Sequence, residues 1–187
     1  MTSRIALKEW AIVVDAVTQG RHLLLLRKGG LADPGEGFTL QHREFFLYPT
    51  WEHERPEHVR PEFQERLRTL AQSAGGSPKE ILLQFYAGVA FQKEIRDPTA
   101  LTTLEKFHIW SAEFLQQRAR YKPELPTQLL VIRAYRLPRP VAHPVRPEYA
   151  GCKSWVPLGE ELPVEGPEPV VENRRFRAAL EEITSAV

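Results

Sequence analysis

The sequence predicts an α+β fold, a mixed sheet with helices on its periphery. Two kinds of segment predict it. Residues 22–27 hold four consecutive leucines, and residues 81–93 and 128–137 are apolar, β-prone runs. Interleaved with them, residues 6–19, 61–74, 97–107 and 111–118 repeat apolar side chains at helical spacing.

Residues 6–19 place Leu7, Trp10, Val14 and Val17 on one helical side, and Gly20 is a good stop. A hairpin through Ile12-Val13-Val14 is the alternative, but strict alternation fails at Asp15. Residues 22–27 then form a buried strand. Four glycines and Pro34 make residues 29–37 a loop. Residues 38–49 are strand-rich, with Phe45, Phe46 and Tyr48, and residues 52–60 form a polar surface loop. Pro61 opens a helix carrying Phe63, Leu67, Leu70 and Ala74, and Gly75-Gly76 closes it. Ser77 and Glu80 have the spacing of a capping box. The apolar run after them, with Gly88 inside it, reads instead as a strand over 81–93, bent at the glycine. Asp97-Pro98 starts a helix through Leu101, Leu104 and Phe107, and Ser111 caps the next. Alternation makes 128–137 a strand. Pro138, Pro140, Pro144 and Pro147 are expected to end regular structure there. Residues 151–156 are a last strand, 157–169 read as linker, and Asn173 caps a terminal helix with Phe176, Leu180 and Ile183.

The 187 residues suffice for one well-buried domain. The expected division is a single domain over 1–158, with 159–187 a linker and a C-terminal helix packed on it. A formal net charge of +1 excludes a broad basic field, so any nucleic-acid contact must be a local patch. The single cysteine, Cys152, excludes an intrachain disulfide framework and points to a reducing compartment. No apolar run reaches the length of a membrane span, and Met1-Thr2-Ser3-Arg4-Ile5 lacks an apolar signal core. The expectation is a cytoplasmic protein with no membrane partner and no cofactor.

The candidate site begins at Arg27-Lys28-Gly29-Gly30. A buried strand delivers two cations to a turn whose glycines let a ligand approach the backbone. Arg27, Lys28 and Lys153 are the expected phosphate contacts. Of the aromatic residues beside polar sequence, Trp51 and Trp155 are the expected base-stacking platforms. Glu44, His53 and Lys28 are the candidate reactive group should the chain be an enzyme. Glu44 is also expected to pair with Arg27 or Lys28, with the chain from Glu44 to His53 running beside the leucine strand.

The order helix, glycine turn, basic strand, aromatic strand, bent strand, helices, strand resembles the PUA-like superfamily, especially its ASCH and EVE branches. Residues 6–28 and 81–137 carry that resemblance, which implies a barrel-like sheet. The helix over 61–74 and the C-terminal tail depart from its compact members. ALKEWAIVVDAVTQGRHLLLLRKGG, EFFLYPTWEH, FHIW and YAGCKSWVPL together resemble an uncharacterised bacterial family, domain of unknown function 1802. That resemblance implies no activity and no catalytic residue.

Three function classes follow. The first is a binding module for nucleic acid or a modified nucleotide, through a basic and aromatic surface. The second is a hydrolase or nuclease acting on a nucleotide or phosphorylated substrate. The third is a protein-interaction domain in which the same residues are structural. His53, His58, His108 and Cys152 are metal ligands by type but lack close ligand spacing, so no metal site is expected. Asp33, Glu44 and Glu52 do not form a recognisable nuclease set. The acidic helix of Nudix hydrolases, a Walker loop and a dinucleotide fingerprint are missing.

Overall fold

The structure is a computed structural model and describes residues 2–28, 37–75, 78–151 and 153–187. Strand β1 (Thr2–Trp10) leads into helix α1 (Ala11–Thr18), and the short strand β2 (Leu24–Arg27) follows. Strand β3 (Glu44–Thr50) and helix α2 (Pro61–Ser73) precede the long strand β4 (Glu80–Ile95). A 3₁₀ segment (Pro98–Phe107) and helix α3 (Ala112–Arg120) lead into β5 (Thr127–Pro144). Strands β6 (Trp155–Pro163) and β7 (Glu168–Pro169) and helix α4 (Asn173–Ala186) follow.

The strands form one mixed sheet in the order β2-β5-β4-β3-β1-β6, with β7 on β5. β1 and β3 run parallel, and the other pairs are antiparallel. The predicted α+β class with a mixed sheet is therefore correct. The barrel does not close, because among the described residues β2 and β6 end the order without pairing to each other. The sheet does curl. Arg27, at the end of β2, donates from Nη2 to the Lys8 carbonyl of β1 at 2.6 Å, although three strands separate β2 from β1 in the sheet.

Alternate residues of β1, β3 and β4 divide between two cores, as a pleated strand requires. Leu7, Phe45, Leu47, Phe85 and Ala87 join the larger core under α1, α2, α3 and α4. Ala6, Phe46, Tyr48 and Tyr86 join a smaller core closed by Leu83, Leu137, Val156 and Leu158. Strand β2 ends the sheet, yet Leu24 and Leu25 are fully buried. Its outer edge is covered: Leu23 N–H donates to the Phe107 carbonyl at 2.8 Å, and Arg118 Nη2 donates to the Leu26 carbonyl at 3.1 Å.

Several expectations hold at the level of local signals. Pro61 opens α2, and Ser111 caps α3 by accepting from Phe114 N at 3.1 Å. Asp97 caps the segment after it by accepting from Thr99 N at 2.9 Å. The strand expected over 81–93 is β4, but Gly88 pairs in register with Arg133, and the ladder with β5 shifts instead between Leu83 and Phe85 and between Val89 and Phe91.

Other expectations are corrected. Residues 6–19 are not one helix. The first of them complete β1, because β3 and β6 pair along both of its edges and non-local pairing outweighs the helical spacing. The prolines do not end the 128–137 strand. Register with β4 jumps from Leu83↔Val141 to Phe85↔Arg136, so Pro138 and Pro140 fall in a bulge where no ladder hydrogen bond is lost. Residues 157–169 are not a linker, since β6 and β7 occupy much of them, and the boundary expected at 158/159 falls inside β6. Gly159 supplies the break in the β1–β6 register with φ +81°. Glu172, not Asn173, caps α4, accepting from Arg174 N at 3.3 Å. Asn173 Oδ1 instead accepts from Arg133 Nη2 at 2.6 Å. β3 does not run beside β2, because β5 and β4 lie between them. The expectations placed on Gly29, Gly30, Asp33, Gly76, Ser77 and Cys152 lie outside the described residues.

Candidate functional site

The curl of the sheet leaves a cavity of about 390 Å³ where the ends of β1, β2 and β3 meet α3. β1 delivers Lys8, Glu9 and Trp10, and β2 delivers Leu26 and Arg27, with Lys28 next in the chain. Thr50 ends β3, and Glu52 and His53 follow it into the wall. Trp110, Phe114, Arg118 and Tyr121 come from α3 and its flanks. Gly151, Lys153 and Ser154, just before β6, complete the rim.

Five cationic side chains and two carboxylates line this space. Glu9 is buried and shared: Oε1 accepts from Trp10 N at 2.9 Å and Oε2 accepts from Arg27 Nη2 at 2.8 Å. Lys8 is 7% exposed. Its Nζ donates to the Tyr149 and Gly151 carbonyls and lies 3.6 Å from Glu52 Oε2. Lys28 is only 1% exposed. Its Nζ donates to the carbonyls of Arg118 at 3.1 Å and Ala119 at 3.4 Å, so it caps the negative end of α3. Burial and the nearby Arg118 lower the pKa of Lys28. Burial and then Arg27 pull Arg118 down to about 10.

The aromatic wall is packed from behind. Trp10 stacks on His58 with centroids 5.1 Å apart and meets Trp110 edge-on at 5.5 Å. Trp110 N–H donates to His108 Nδ1 at 3.1 Å, and its indole stands edge-on to buried His22 at 5.2 Å. Tyr121 is the exposed ring of the group, 38% accessible.

Of the expected site residues, Arg27, Lys28, His53 and Lys153 all line this cavity. Glu44, Trp51 and Trp155 are not in its wall. Glu44 is exposed at the start of β3, opposite Gly88 of β4, and the expected pairing with Arg27 is made by Glu9 instead. Trp51 packs half-buried against the smaller core. Trp155 Nε1 donates to the Thr39 carbonyl at 3.2 Å, and its ring packs among Phe38, His42 and Phe45. His53 has a left-handed backbone, φ 63°, uncommon for a residue with a side chain. Among the described residues no helix is long and apolar enough to cross a membrane.

The family model described as "Domain of unknown function (DUF1802)" matches residues 6–182. The chain belongs to this family. No curated protein matches it. Among solved structures, this DUF1802 chain is similar to an ASCH protein from Zymomonas mobilis, with 10% identity over 96% of this chain and 94% of that one, and a TM-score of 0.42. It is also similar to a mutant ASCH protein from the same organism, with 14% identity over 75% and 76% of the two chains and a TM-score of 0.39.

Among the lining residues of this DUF1802 chain that the sequence does not single out for the site are Lys8, Glu9, Arg118 and Tyr121. The apolar spacing over 6–19 places Lys8 and Glu9 on a helix, with Lys8 away from its apolar side. Arg118 and Tyr121 have the look of a solvated helix end. The available signal was Trp110 beside a well-capped α3, which marks an aromatic wall next to basic residues.

Glu54 supports the site from outside, its Oε1 accepting from Ile12 N at 2.9 Å at the start of α1. Burial pushes its carboxyl up to about 7 against the pull of the Ile12 and Ala11 N–H groups, and Glu9 adds repulsion. The folded chain thus holds this proton up to about pH 7, whereas the unfolded chain releases it near the ordinary value of 4.5. Stability therefore falls as pH rises through that window. Glu54→Gln keeps the acceptor and removes the titration. Between pH 5 and 8, roughly, the wild type is expected to lose melting temperature relative to this variant. Parallel pH profiles of the two would contradict the assignment.

Proposed function

We propose that the chain is a binding module for nucleic acid or a modified nucleotide, and that the cavity takes one nucleotide unit. The observation that carries this reading is the meeting of five cations and two carboxylates with an aromatic wall in a single concave site. Its volume, about 390 Å³, lies in the range of sites that enclose one small ligand. Arg27, Lys28 and Lys153 provide phosphate-directed charge, with Lys28 also bracing α3. Tyr121 takes the base-stacking role first expected of Trp51 and Trp155. The candidate reactive trio loses its carboxylate with Glu44, which favours binding over hydrolysis as the reading of this cavity.

The test is fluorescence anisotropy with single-stranded and duplex RNA and DNA probes across a salt series. Three uncompensated cations predict a log–log slope of about −2 for a single strand. Tyr121→Ala and Lys153→Ala are both changes at exposed residues, expected to weaken binding several-fold while leaving the melting temperature within about 1–2 °C. A flat salt response, or no binding to any probe, would overturn the reading.

A further inference from the structure

Cations that track a phosphodiester strand lie in a row, each facing a single negative charge. The cations at this cavity are instead focused. Arg27 ends β2, Lys28 follows it, and Arg118 in the last turn of α3 donates back to Leu26 of the same strand. Lys28 Nζ in turn donates to the Arg118 carbonyl at 3.1 Å. Glu9 pairs with Arg27 and also acts on Arg118, Glu124 acts weakly on Lys28, and the hydrogen bonds that hold Lys28 and Arg118 go to backbone carbonyls, which carry no net charge. The crowding is felt: after burial, Arg27 lowers the pKa of Arg118, and Arg118 lowers that of Lys28.

The same residues hold unused donors. Among the described residues, Arg27 Nε, Arg118 Nε and Trp110 Nε1 are buried N–H groups without hydrogen-bond partners, and all three residues line the cavity. Buried donors are normally satisfied. A group with several acceptor oxygens and more than one negative charge would answer the clustered positive charge that lines the cavity. A diester supplies one charge, whereas a phosphomonoester supplies close to two near neutral pH and three acceptor oxygens.

We infer that the cavity recognises a terminal phosphomonoester, the phosphorylated end of a nucleic-acid strand or a mononucleotide, seated between Arg27 and Arg118 with Lys28 beneath. This rests on the nucleotide-binding reading above and narrows it. Lys153 and Tyr121, at the rim, then meet the rest of the terminal nucleotide. An internal stretch of strand gains nothing from the focused charge.

The experiment uses the full chain and one short oligonucleotide sequence in three forms: 5′-phosphorylated, 3′-phosphorylated and with hydroxyl at both ends. Affinities are read by calorimetry at neutral pH and fixed salt. One phosphorylated form is expected to bind at least about tenfold more tightly than the hydroxyl form, as charge-assisted pairing to an added dianion predicts. Which form gains identifies the end recognised. Inorganic phosphate at millimolar concentration is expected to compete with that form. Arg118→Gln should erase the preference. Because this variant also loses a bond to Leu26, Lys153→Ala serves as the folded comparison, weakening all three forms alike. Equal binding of the three forms would overturn the inference and leave the nucleic-acid reading standing. No binding by any form would overturn both.

Discussion

Arg27→Ala is expected to cost the fold about 3–5 kcal/mol, the cost of leaving a buried charge without its partner. The Arg27 side chain is 15% exposed and that of Glu9 is 9% exposed, so water reaches neither freely. The guanidinium donates both to Glu9 Oε2 and to the Lys8 carbonyl, tying the end of β2 to the end of β1. These strands are not neighbours in the sheet, and this side chain links them across its curl. Removing it orphans Glu9 and opens the cavity wall together. Arg27→Ala with Glu9→Gln should recover a large part of the loss, since the carboxylate is then neutral. Chemical denaturation of both variants measures this. A single variant that loses less than about 1 kcal/mol would mean that the pair behaves as a surface ion pair.

Leu25→Ala is expected to destabilise by about 2–5 kcal/mol through lost burial and the cavity left behind. Leu25 is fully buried between β5 and the helices of the larger core. It lies far enough along β2 to leave Arg27 paired, so the loss reports packing alone. Lys28→Ala is the informative companion. From the sequence, Lys28 is a ligand-facing cation whose loss spares folding. In the structure its ammonium caps α3, and its removal should cost about 1–3 kcal/mol, the range for hydrogen bonds from a charged donor. The expected order of loss is Leu25→Ala, then Lys28→Ala, then Lys153→Ala near zero. A Lys28→Ala variant as stable as the wild type would return Lys28 to a purely ligand-directed role.

How much of this was readable from the chain depended on the range of the signal. Helix α2 and helix α3 announce themselves locally, through Pro61 and Ser111. The apolar runs of β2, β4 and β5 needed no knowledge of their partners. β1 is not legible in its own segment because its evidence is remote: Leu7 pairs with Leu47 and with Trp155, and nothing within the segment records either. The proline run misled for a related reason. A proline ends a regular ladder, but a bulge accepts it, and the bulge is created by the register with β4. At the site, Arg27, Lys28, His53 and Lys153 were found because cations and a loop histidine stand out by type. Trp51 and Trp155 stand out by their polar flanks, and flanking polarity does not say which face of a sheet a ring joins. Glu9 was hidden inside the misassigned helix, so its pairing with Arg27 fell to Glu44 by default.

The central claim is that the cavity bounded by β1, β2, β3 and α3 is where a nucleotide binds. The most direct measurement is the change in backbone amide resonances as a phosphorylated oligonucleotide is added to the isotopically labelled chain. Shifts are expected to concentrate at Leu26, Thr50, Trp110, Tyr121 and Ser154, which all line the cavity. Shifts confined to α4 or to the outer edge of β6, or no shifts at saturating oligonucleotide, would contradict it.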